Sequence, residues 1–526
     1  MFALRGRMLV LAASLAMSLL GAGEPSAVRD VSAAGTASIY WGAYVNGAPG
    51  DPRLMDTFET HAGKRASIEM FALPWASDGS YRAFPQANLQ TIRDRGTIGL
   101  IDWGSWDLTR GTHTSQPDFQ LADIYNGAHD AFLVQFARAA AAWGKPFFMR
   151  FDAEMNGWWQ PWSEQTNGNQ PGDFVKAWRH VVDIFRQQGA TNVTWVFCPN
   201  IIGPRSTPLA GMYPGDNYVD WTCLDGYNWG TDFGNTGWWS FSDVFQGDEY
   251  NGGFDSYLMV QQLAPTKPLM IGETASSQNG GDKAAWITSM LGTELPQRFP
   301  NVKAVVWFNW NDDDPRKTWP IESSPSAQAA FARGIASSYY APNLFGSIAG
   351  GPIQSLSPLA PPPMVLNAVA DSCTRRSAPD SAACGTSRTI QADLTGTDTA
   401  FLRFNLAPLA GKTIVSARLF VKKSTESWAS SMVPQVVRLV NDNAWKEQFL
   451  TYNHSVPISS TVLGNLAKAP PTSTWYQIPI ATNVVQSRAG GLLSMAIQQD
   501  QGSDVLIFFA REAGAANAPE LVVIYR

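Results

Sequence analysis

Short apolar runs alternate with amphipathic segments through the first two thirds of the chain. Eight of these runs have the length and composition of buried strands, and most end in polar, aromatic or acidic residues. They cover residues 38–45, 65–71, 97–106, 146–151, 193–200, 224–230, 268–274 and 302–310. Between them lie helical patterns, such as the one that follows the predicted N-cap Asp173 and stops at Gly189. Eight strands separated by helices predict an α/β fold, a closed (β/α)8 barrel over residues 36–340.

A different pattern occupies the remainder of the chain. Residues 341–364 are rich in Pro, Gly and Ser and carry no charge, which predicts an extended linker. From residue 365 to residue 526, short alternating segments are broken by Gly, Pro, Asn and Asp. This pattern predicts an all-β sandwich as a second domain.

The first residues have the pattern of a secretory signal. Arg5 and Arg7 precede an apolar run of about a dozen residues, and small residues follow it. The run is too short for a comfortable membrane span. We therefore expect a signal peptide over residues 1–27, a secreted, extracellular protein and no membrane association after cleavage.

An oxidising compartment allows the four cysteines to pair. Cys373 and Cys384 flank a short polar loop, which predicts a local disulfide. Cys198 and Cys223 lie near the ends of consecutive strand candidates, where pairing depends on how the ends approach each other. None of the four has histidines at metal-site spacing, and the acidic run at 311–314 is better explained as a solvated loop than as a calcium site. We expect no metal and no cofactor.

Charge and composition restrict the partners. The 526 residues carry a formal net charge of −6 without a basic stripe, which argues against nucleic acid and anionic membranes. A neutral or weakly charged substrate fits this balance better. The chain has 21 tryptophans, more than a core of this size usually requires, and about half of them are explained by core packing. We expect a monomer.

Two glutamates lie at the ends of different strand candidates. Glu154 lies in FFMRFDAEMNGWWQPW and Glu273 in PLMIGETAS. Because the reactive residues of a parallel barrel gather at the carboxyl ends of its strands, the two carboxylates are expected at one rim. Such a pair suits the cleavage of glycosidic bonds. The fourth and seventh strand ends face each other across a narrow mouth, which predicts the short separation of a retaining mechanism, with Glu154 as acid/base and Glu273 as nucleophile.

Aromatic and amide side chains near the strand ends predict a sugar-binding cleft, because aromatic faces stack on sugar C–H groups and amides bond to hydroxyls. The candidates for substrate contact are Trp103, Asn156, Trp159, Trp162, Tyr227, Trp229 and Trp310. For any single aromatic residue, core packing explains the side chain equally well. The simplest alternative for the glutamates is that Glu154 pairs with Arg150 and Glu273 caps the following turn.

Four segments in collinear order resemble glycoside hydrolase family 26. They are FFMRFDAEMNGWWQPW, YPGDNYVDWTCLDGYNWG, PLMIGETAS with GGDKAAWI, and VVWFNWN with WPIESS. The resemblance implies a retaining (β/α)8 barrel enzyme, with Glu154 as acid/base, Glu273 as nucleophile, Trp159 in the cleft and Tyr227 near the nucleophile. It also implies a polysaccharide substrate, with β-mannan and mixed-linkage β-1,3-1,4-glucan as the leading choices.

One departure from this family pattern stands beside the acid/base glutamate. Members usually carry a histidine there, whereas this chain has Ala153. We expect the missing imidazole to affect rate and sugar preference. The departure also motivates an alternative function, a non-catalytic or weakly active carbohydrate-binding protein on a glycosidase scaffold. Asp152 turned inward is a further possibility that strand alternation disfavours.

The C-terminal region has a resemblance of its own. TAFLRFNLAPLAGKTIVSARLFV, LVNDNAWKEQFLTYNHSVP and FFAREAGAANAPELVV are similar to modules named for a DNRLRE motif, which are regarded as carbohydrate-binding. The alternative is a purely structural spacer. No residue of this region is singled out as a sugar contact by its sequence.

Overall fold

The computed structural model describes residues 39–235, 237–247, 251–393, 397–469, 475–502 and 504–526, so the expected signal peptide lies outside the described residues. A nine-stranded sheet forms the first part of the fold. Its strands are β1 (Tyr40–Tyr44), β2 (Ile68–Ser77), β3 (Ser80–Tyr81), β4 (Ile98–Asp107), β5 (Phe147–Phe151), β6 (Val193–Phe197), β7 (Trp221–Asp225), β8 (Leu269–Thr274) and β9 (Val302–Phe308).

Eight of these strands close into a parallel barrel. Strand β1 pairs in parallel with β9 on one side and with β2 on the other, and Gly42 is in register with both Val306 and Ile68. A Cβ atom at Gly42 would lie 2.2 Å from the carbonyl oxygen of Ile68, so only glycine permits this approach. Strand β3 merely extends β2 as a two-residue hairpin. The predicted eight-stranded barrel is confirmed.

The strand that the sequence placed at residues 224–230 is displaced. Strand β7 begins at Trp221 and ends at Asp225, and the residues that follow it form a loop, in which Asn228 makes an isolated bridge to Ser276. The apolar run of this strand is interrupted by a cysteine and ends in an aspartate. The sequence pattern therefore placed the predicted strand too late, at the aromatic residues that follow. Tyr227 and Trp229 therefore lie on a loop at the rim.

Helices cover the outside of the barrel. They are α1 (Pro52–Ala62), α2 (Gln86–Asp94), α3 (Leu121–Tyr125), α4 (Asp130–Trp143), α5 (Asp173–Gln187), α6 (Phe241–Gln246), α7 (Ser256–Leu263), α8 (Lys283–Ser289), α9 (Leu295–Arg298) and α10 (Pro325–Ile335). The N-cap of α5 is Gly172, not Asp173, which is the first helical residue and accepts a hydrogen bond from the Gln170 amide. Within the described ranges, no helix combines the length and apolarity needed to cross a membrane.

Strand alternation separates two apolar layers. In β5, Phe147, Met149 and Phe151 face outward and pack with the helices, whereas Phe148 lies in a cluster inside the barrel. Arg150, two residues after Phe148, also points inward and is almost fully buried. This alternation delivers a charged side chain to the interior, directly below the carboxyl rim.

The segment from residue 341 to residue 363 forms neither helix nor strand, and it follows the barrel instead of projecting from it. Ile353 donates its amide hydrogen to Thr194 Oγ1 at 2.8 Å and accepts a hydrogen bond from Trp221 Nε1 at 2.8 Å. The hydroxyl of Tyr40 bonds to the carbonyl oxygen of Gln354 at 2.9 Å. These contacts cover the amino-terminal ends of the strands.

The C-terminal part is antiparallel. Its strands are β10 (Met364–Thr374), β11 (Thr389–Asp393), β12 (Thr399–Asn405), β13 (Ile414–Lys422), β14 (Gln435–Val440), β15 (Ile458–Leu466), β16 (Trp475–Pro479), β17 (Leu492–Gln499), β18 (Val505–Phe509) and β19 (Glu520–Tyr525), with helix α11 (Thr482–Arg488). Eight of them are ordered β15-β14-β17-β12-β10-β19-β13-β16, and β11 pairs with β18. Strand β10 pairs with β19 through its first half and with β12 through its second, and both halves of the sheet share one buried cluster.

The two parts share a buried contact. Phe420, Val522 and Ile524 of the C-terminal sheet belong to the same apolar cluster as helices of the barrel. Arg418 Nε lies 2.6 Å from Asp255 Oδ2 at the start of α7, and both side chains are almost fully buried. The C-terminal part therefore packs directly on the barrel.

Candidate active site

The loop after β5 carries Glu154 into the mouth of the barrel. Asp152 and Glu154 both have left-handed backbone conformations, with φ of 45° and 58°, and the Glu154 amide donates to the carbonyl of Cys198 at 2.7 Å. Such conformations cost non-glycine residues about 1–2 kcal/mol each and are found where a site requires them. Here they turn the Glu154 carboxylate toward the next strand ends.

Two neutral donors hold the Glu154 carboxylate. Asn200 Nδ2 donates to Glu154 Oε1 at 2.6 Å, and Trp159 Nε1 donates to Glu154 Oε2 at 2.6 Å. Asn200 is itself fixed by Asn156, whose side chain donates to the Asn200 carbonyl and accepts from the Asn200 amide, each at 2.9 Å. Asn156 is therefore buried behind Asn200, and its prediction as a substrate contact is wrong.

A cation and a phenol hold the Glu273 carboxylate. Arg150 Nη2 donates to Glu273 Oε1, and the Tyr227 hydroxyl donates to Glu273 Oε2. The Glu273 side chain is only 12% exposed. Burial raises the pKa of Glu273 to about 7, while Arg150 and the Tyr227 hydroxyl oppose that rise because both stabilise the ionised form.

Arg150 binds three carboxylates at once. Its Nε lies 3.0 Å from Asp102 Oδ1, its Nη1 lies 2.8 Å from Asp225 Oδ2, and its Nη2 binds Glu273. The alternative in which Glu154 merely pairs with Arg150 is wrong, because the three donor positions go to these other acids. The planar guanidinium thus fixes the relative positions of three strand ends.

The two glutamates meet at one rim. A carboxylate oxygen of Glu154, one of Glu273 and one of Asp225 all lie within 4.8 Å of one another. These oxygens could in principle chelate a cation, but they already accept hydrogen bonds from Asn200, Trp159, Tyr227 and Arg150. In the acidic run after β9, Asp312 and Asp314 pair with Lys317 and Arg316.

An aromatic cleft opens above this pair, with a volume of about 660 Å³. Most of its walls are rings and amides, and Glu154 and Glu273 form part of the floor. The lining residues are Glu154, Trp158, Trp159, Asn200, Ile201, Tyr227, Trp229, Phe233, Asn235, Glu273, Phe308, Asp312, Lys317 and Trp319. Of the predicted contacts, Trp159, Tyr227 and Trp229 thus lie in the cleft.

Two predicted aromatic contacts are wrong. Trp103 is fully buried outside the barrel, where its ring centroid lies 4.7 Å from that of Phe136, because Asp102 takes the inward position on β4. Trp162 is buried as well, and its Nε1 donates to the Ala153 carbonyl at 2.7 Å. Trp310 lies beside the cleft and not in its lining, with its ring 6.0 Å from that of Tyr44.

Several lining residues were absent from the sequence-based list. Trp319 lies in the WPIESS segment that carried part of the family resemblance. Asp225, which binds Arg150 below the cleft, was also not predicted, because it ends the strand whose position was misjudged. Lys317 Nζ lies 2.5 Å from Asp312 Oδ2 and 4.8 Å from the centre of the Trp319 ring. No local pattern identifies Lys317 as a cleft residue, because its neighbours in the cleft come from other loops.

Ala153 occupies the position of the missing histidine. Its methyl group lies in the apolar cluster inside the barrel with Phe148 and Val196. Asp152 turns the other way: its two carboxylate oxygens accept from the amide and the hydroxyl of Ser105, at 2.7 and 2.8 Å. Asp152 therefore does not replace the imidazole.

The structure contains two disulfides, Cys198–Cys223 and Cys373–Cys384. The first lies beneath the carboxylates, with Cys198 Sγ 3.8 Å from Arg150 Nη1. It joins the residue that follows β6 to the middle of β7, two residues before Asp225.

The fold and this geometry define a class: a (β/α)8 barrel protein whose two opposed glutamates lie at the carboxyl ends of strands, under an aromatic cleft. Comparison with known proteins gives the family. The model of glycosyl hydrolase family 26 matches residues 124–264, and that of carbohydrate-binding module family 96 matches residues 362–525. The chain contains a glycosyl hydrolase family 26 domain followed by a carbohydrate-binding module of family 96.

Curated relatives match parts of the chain. Endoglucanase H of Acetivibrio thermocellus is 36% identical over 304 residues, which are 56% of this chain and 30% of that protein. A gellan lyase of a Bacillus species is 28% identical over 159 residues, 29% of this chain and 6% of the lyase. Mannan endo-1,4-β-mannosidase A and B of Caldalkalibacillus mannanilyticus is 34% identical over 83 residues, 14% of this chain and 15% of that protein. The chain thus spans less than a third of each relative.

Among solved structures, a family 26 β-mannanase from Bacteroides ovatus superposes with a TM-score of 0.43 at 16% identity, covering 62% of this chain and 94% of that one. The catalytic domain of a family 26 endo-β-1,4-mannanase from a Bacillus species gives a TM-score of 0.44 at 18% identity, covering 59% and 88%.

Proposed function

We propose that this protein is a secreted, retaining endo-β-glycanase that cleaves β-1,4-linked polysaccharide by double displacement. The observation that carries the proposal is the approach of Glu154 and Glu273 oxygens to within 4.8 Å on the floor of the cleft. Retaining glycosidases hold their carboxyl groups about 5–5.5 Å apart, whereas inverting enzymes separate them by about 6.5–9.5 Å to admit a water molecule.

The surroundings of each glutamate support its role. Glu273 is the nucleophile: Arg150 and Tyr227 stabilise its ionised form and leave it facing the cleft. Glu154 is the acid/base, held by the neutral donors Asn200 and Trp159 and, among the described residues, by no salt-bridge cation. Glu154 protonates the leaving oxygen while Glu273 attacks the anomeric carbon, and Glu154 then takes a proton from the water that hydrolyses the glycosyl-enzyme.

The substrate is a neutral polymer, and we favour mixed-linkage β-1,3-1,4-glucan over β-mannan. Trp159, Trp229 and Trp319 supply rings for stacking, and Asn200 and Asn235 supply amides for hydroxyl groups. The name of the 36% identical endoglucanase supports a glucan, while the mannosidase resemblance covers a much shorter stretch.

The domain organisation follows from the same proposal. Residues 36–340 form the catalytic barrel, residues 341–364 connect it to the module, and residues 365–526 hold the enzyme on its polymer. Residues 1–27 direct secretion, and the mature protein acts as an extracellular monomer.

Product analysis tests the mechanism. Wild type is expected to release oligosaccharides from mixed-linkage glucan with retained anomeric configuration, read by NMR before mutarotation. Glu273→Ala and Glu154→Ala should each lower kcat on the polymer by at least about 10³-fold, or about 4 kcal/mol. Asp216→Ala, an exposed acid outside the cleft, should retain full activity. Undiminished hydrolysis by Glu273→Ala, or an inverted product, would contradict the mechanism.

A second function has one observation in its favour. Ala153 leaves the barrel interior without the imidazole that the family usually places beside the acid/base. A non-catalytic carbohydrate-binding protein would bind oligosaccharides in the cleft, and its wild type would release no reducing sugar. Binding detected by calorimetry, together with no released product from β-glucan, β-mannan or β-1,3-xylan, would favour this function.

A further inference from the structure

A second carboxylate cluster lies in the C-terminal module, outside the glutamate site. Asp371 comes from β10, Glu447 from the short turn Glu447–Phe449, and Glu512 from the turn Arg511–Ala513. One oxygen atom from each of the three side chains lies within 4.8 Å of the other two. The fold therefore gathers three acids that are far apart in sequence.

Two oxygens of this cluster have unused acceptor capacity in a buried place. Asp371 is fully buried, and its Oδ2 accepts from the Arg511 amide at 2.7 Å. Within the described residues, Asp371 Oδ1 and Glu512 Oε2 are both buried and have no hydrogen-bond partner. Buried carboxylate oxygens are normally satisfied by donors, water or a cation, so two orphaned oxygens in one cluster have the acceptor capacity that a bound cation uses.

The charge of the cluster is also unbalanced. Arg511 Nη2 lies 2.9 Å from Glu447 Oε1 and 2.9 Å from Glu512 Oε1, so one guanidinium serves two carboxylates. The remaining donor contact is the Asp371 amide, which donates to Glu447 Oε1 at 2.8 Å. Among the residues that the structure describes, Arg511 is the one cation within salt-bridge distance of these carboxylates, and Arg403 acts on Glu447 from farther away. The cluster therefore keeps a net negative charge that a cation can neutralise.

We propose that Asp371, Glu447 and Glu512 bind a calcium ion in the carbohydrate-binding module. The donor set consists of carboxylate oxygens without nitrogen or sulfur, which suits a hard cation. Calcium tolerates an irregular shell that carbonyl groups and water complete, whereas magnesium demands near-ideal octahedral geometry.

The position of the cluster gives the ion a structural role. It joins β10 to the two turns, beside the Cys373–Cys384 disulfide that fastens the same end of β10. The turn that supplies Glu447 also carries Phe449, which is 64% exposed. Bound calcium thus fixes a loop that presents an aromatic ring to solvent.

Metal binding by the full chain tests this proposal. The protein is dialysed against EDTA, passed into chelator-free buffer and titrated with CaCl2 by calorimetry, and bound calcium is counted by mass spectrometry. Wild type is expected to bind one calcium ion through this cluster, and its module to unfold at least about 3 °C higher with saturating calcium. Absence of calcium uptake by wild type would overturn the proposal.

Matched variants locate the ion. Glu512→Gln and Asp371→Asn should each weaken calcium binding by about tenfold or more, because each removes a charged ligand. Asp500→Asn, whose exposed carboxylate pairs with Arg438 in the same module, should bind as wild type does. If Asp371→Asn does not fold, Glu512→Gln decides alone. Wild-type affinity in Glu512→Gln would overturn the assignment, as would an equal response of wild type to MgCl2.

Discussion

Tyr227→Phe removes a hydrogen bond to the proposed nucleophile. The substitution removes the hydroxyl that donates to Glu273 Oε2 and preserves the ring, whose centroid lies 4.5 Å from that of Trp319. A hydrogen bond to a charged group contributes about 1.5–3 kcal/mol. Because this bond stabilises the ionised form, its loss raises the pKa of Glu273, by about 1–2 units at about 1.36 kcal/mol per unit.

The shift has a defined direction in a pH profile. The nucleophile acts as a carboxylate, so activity falls as pH decreases through the Glu273 pKa of about 7. In Tyr227→Phe, the acid limb of kcat/KM should therefore move upward to about pH 8–9. At pH 7, the ionised fraction of Glu273 should fall from about one half to about 9–1%, so kcat/KM should fall about 5- to 50-fold. The assay is initial-rate hydrolysis of soluble mixed-linkage glucan between pH 5 and 10.

A matched control is available outside the cleft. The Tyr213 hydroxyl donates to Asp216 Oδ1 at 2.7 Å, so Tyr213→Phe removes a phenol–carboxylate bond of the same kind. Its profile should follow that of wild type. If Tyr227→Phe keeps both its acid limb and its kcat/KM within threefold of wild type, the reasoning about Tyr227 and Glu273 is refuted.

Two further substitutions probe the framework. Lys283 Nζ donates to the carbonyl groups of residues 318–320 and to Ser323 Oγ. Lys283→Met leaves these buried acceptors without their donor, so it should cost about 3–5 kcal/mol in urea unfolding and raise KM by displacing Trp319. Unchanged stability would contradict this role. Arg418→Leu leaves the buried Asp255 carboxylate without its ion-pair partner and should lower the free energy of unfolding by about 3–5 kcal/mol. In calorimetry, the double variant with Asp255→Leu should recover part of that loss. Equal stability of the single variant and wild type would count against the interdomain ion pair.

The barrel was predictable because its signal is repeated. Each strand is short, apolar and followed by a helical pattern, so one misjudged boundary at β7 leaves the count of eight intact. The positions of the two glutamates at the carboxyl ends of buried strands likewise indicated a common rim. Their mutual approach is a consequence of barrel closure, which places the ends of β5 and β8 across one mouth.

The lining of the cleft was less predictable. Trp103 and Trp162 have the residue type of sugar contacts, but alternation and local turns direct both rings into packed layers. Asn156 supports Asn200 from behind instead of reaching the cleft. Sequence neighbours cannot distinguish an inward from an outward ring near a strand end, where the left-handed turn at Glu154 breaks the alternation.

By itself, the sequence determined the alternation of strands and helices and the change to an antiparallel pattern after the proline-rich segment. It also identified the two glutamates. All of these features depend on local spacing and residue type. Only the tertiary structure decided that Arg150 binds three carboxylates and that Asp371, Glu447 and Glu512 converge in the module. Such groupings join residues distant along the chain, and they arise from strand register and loop packing, which no single segment encodes.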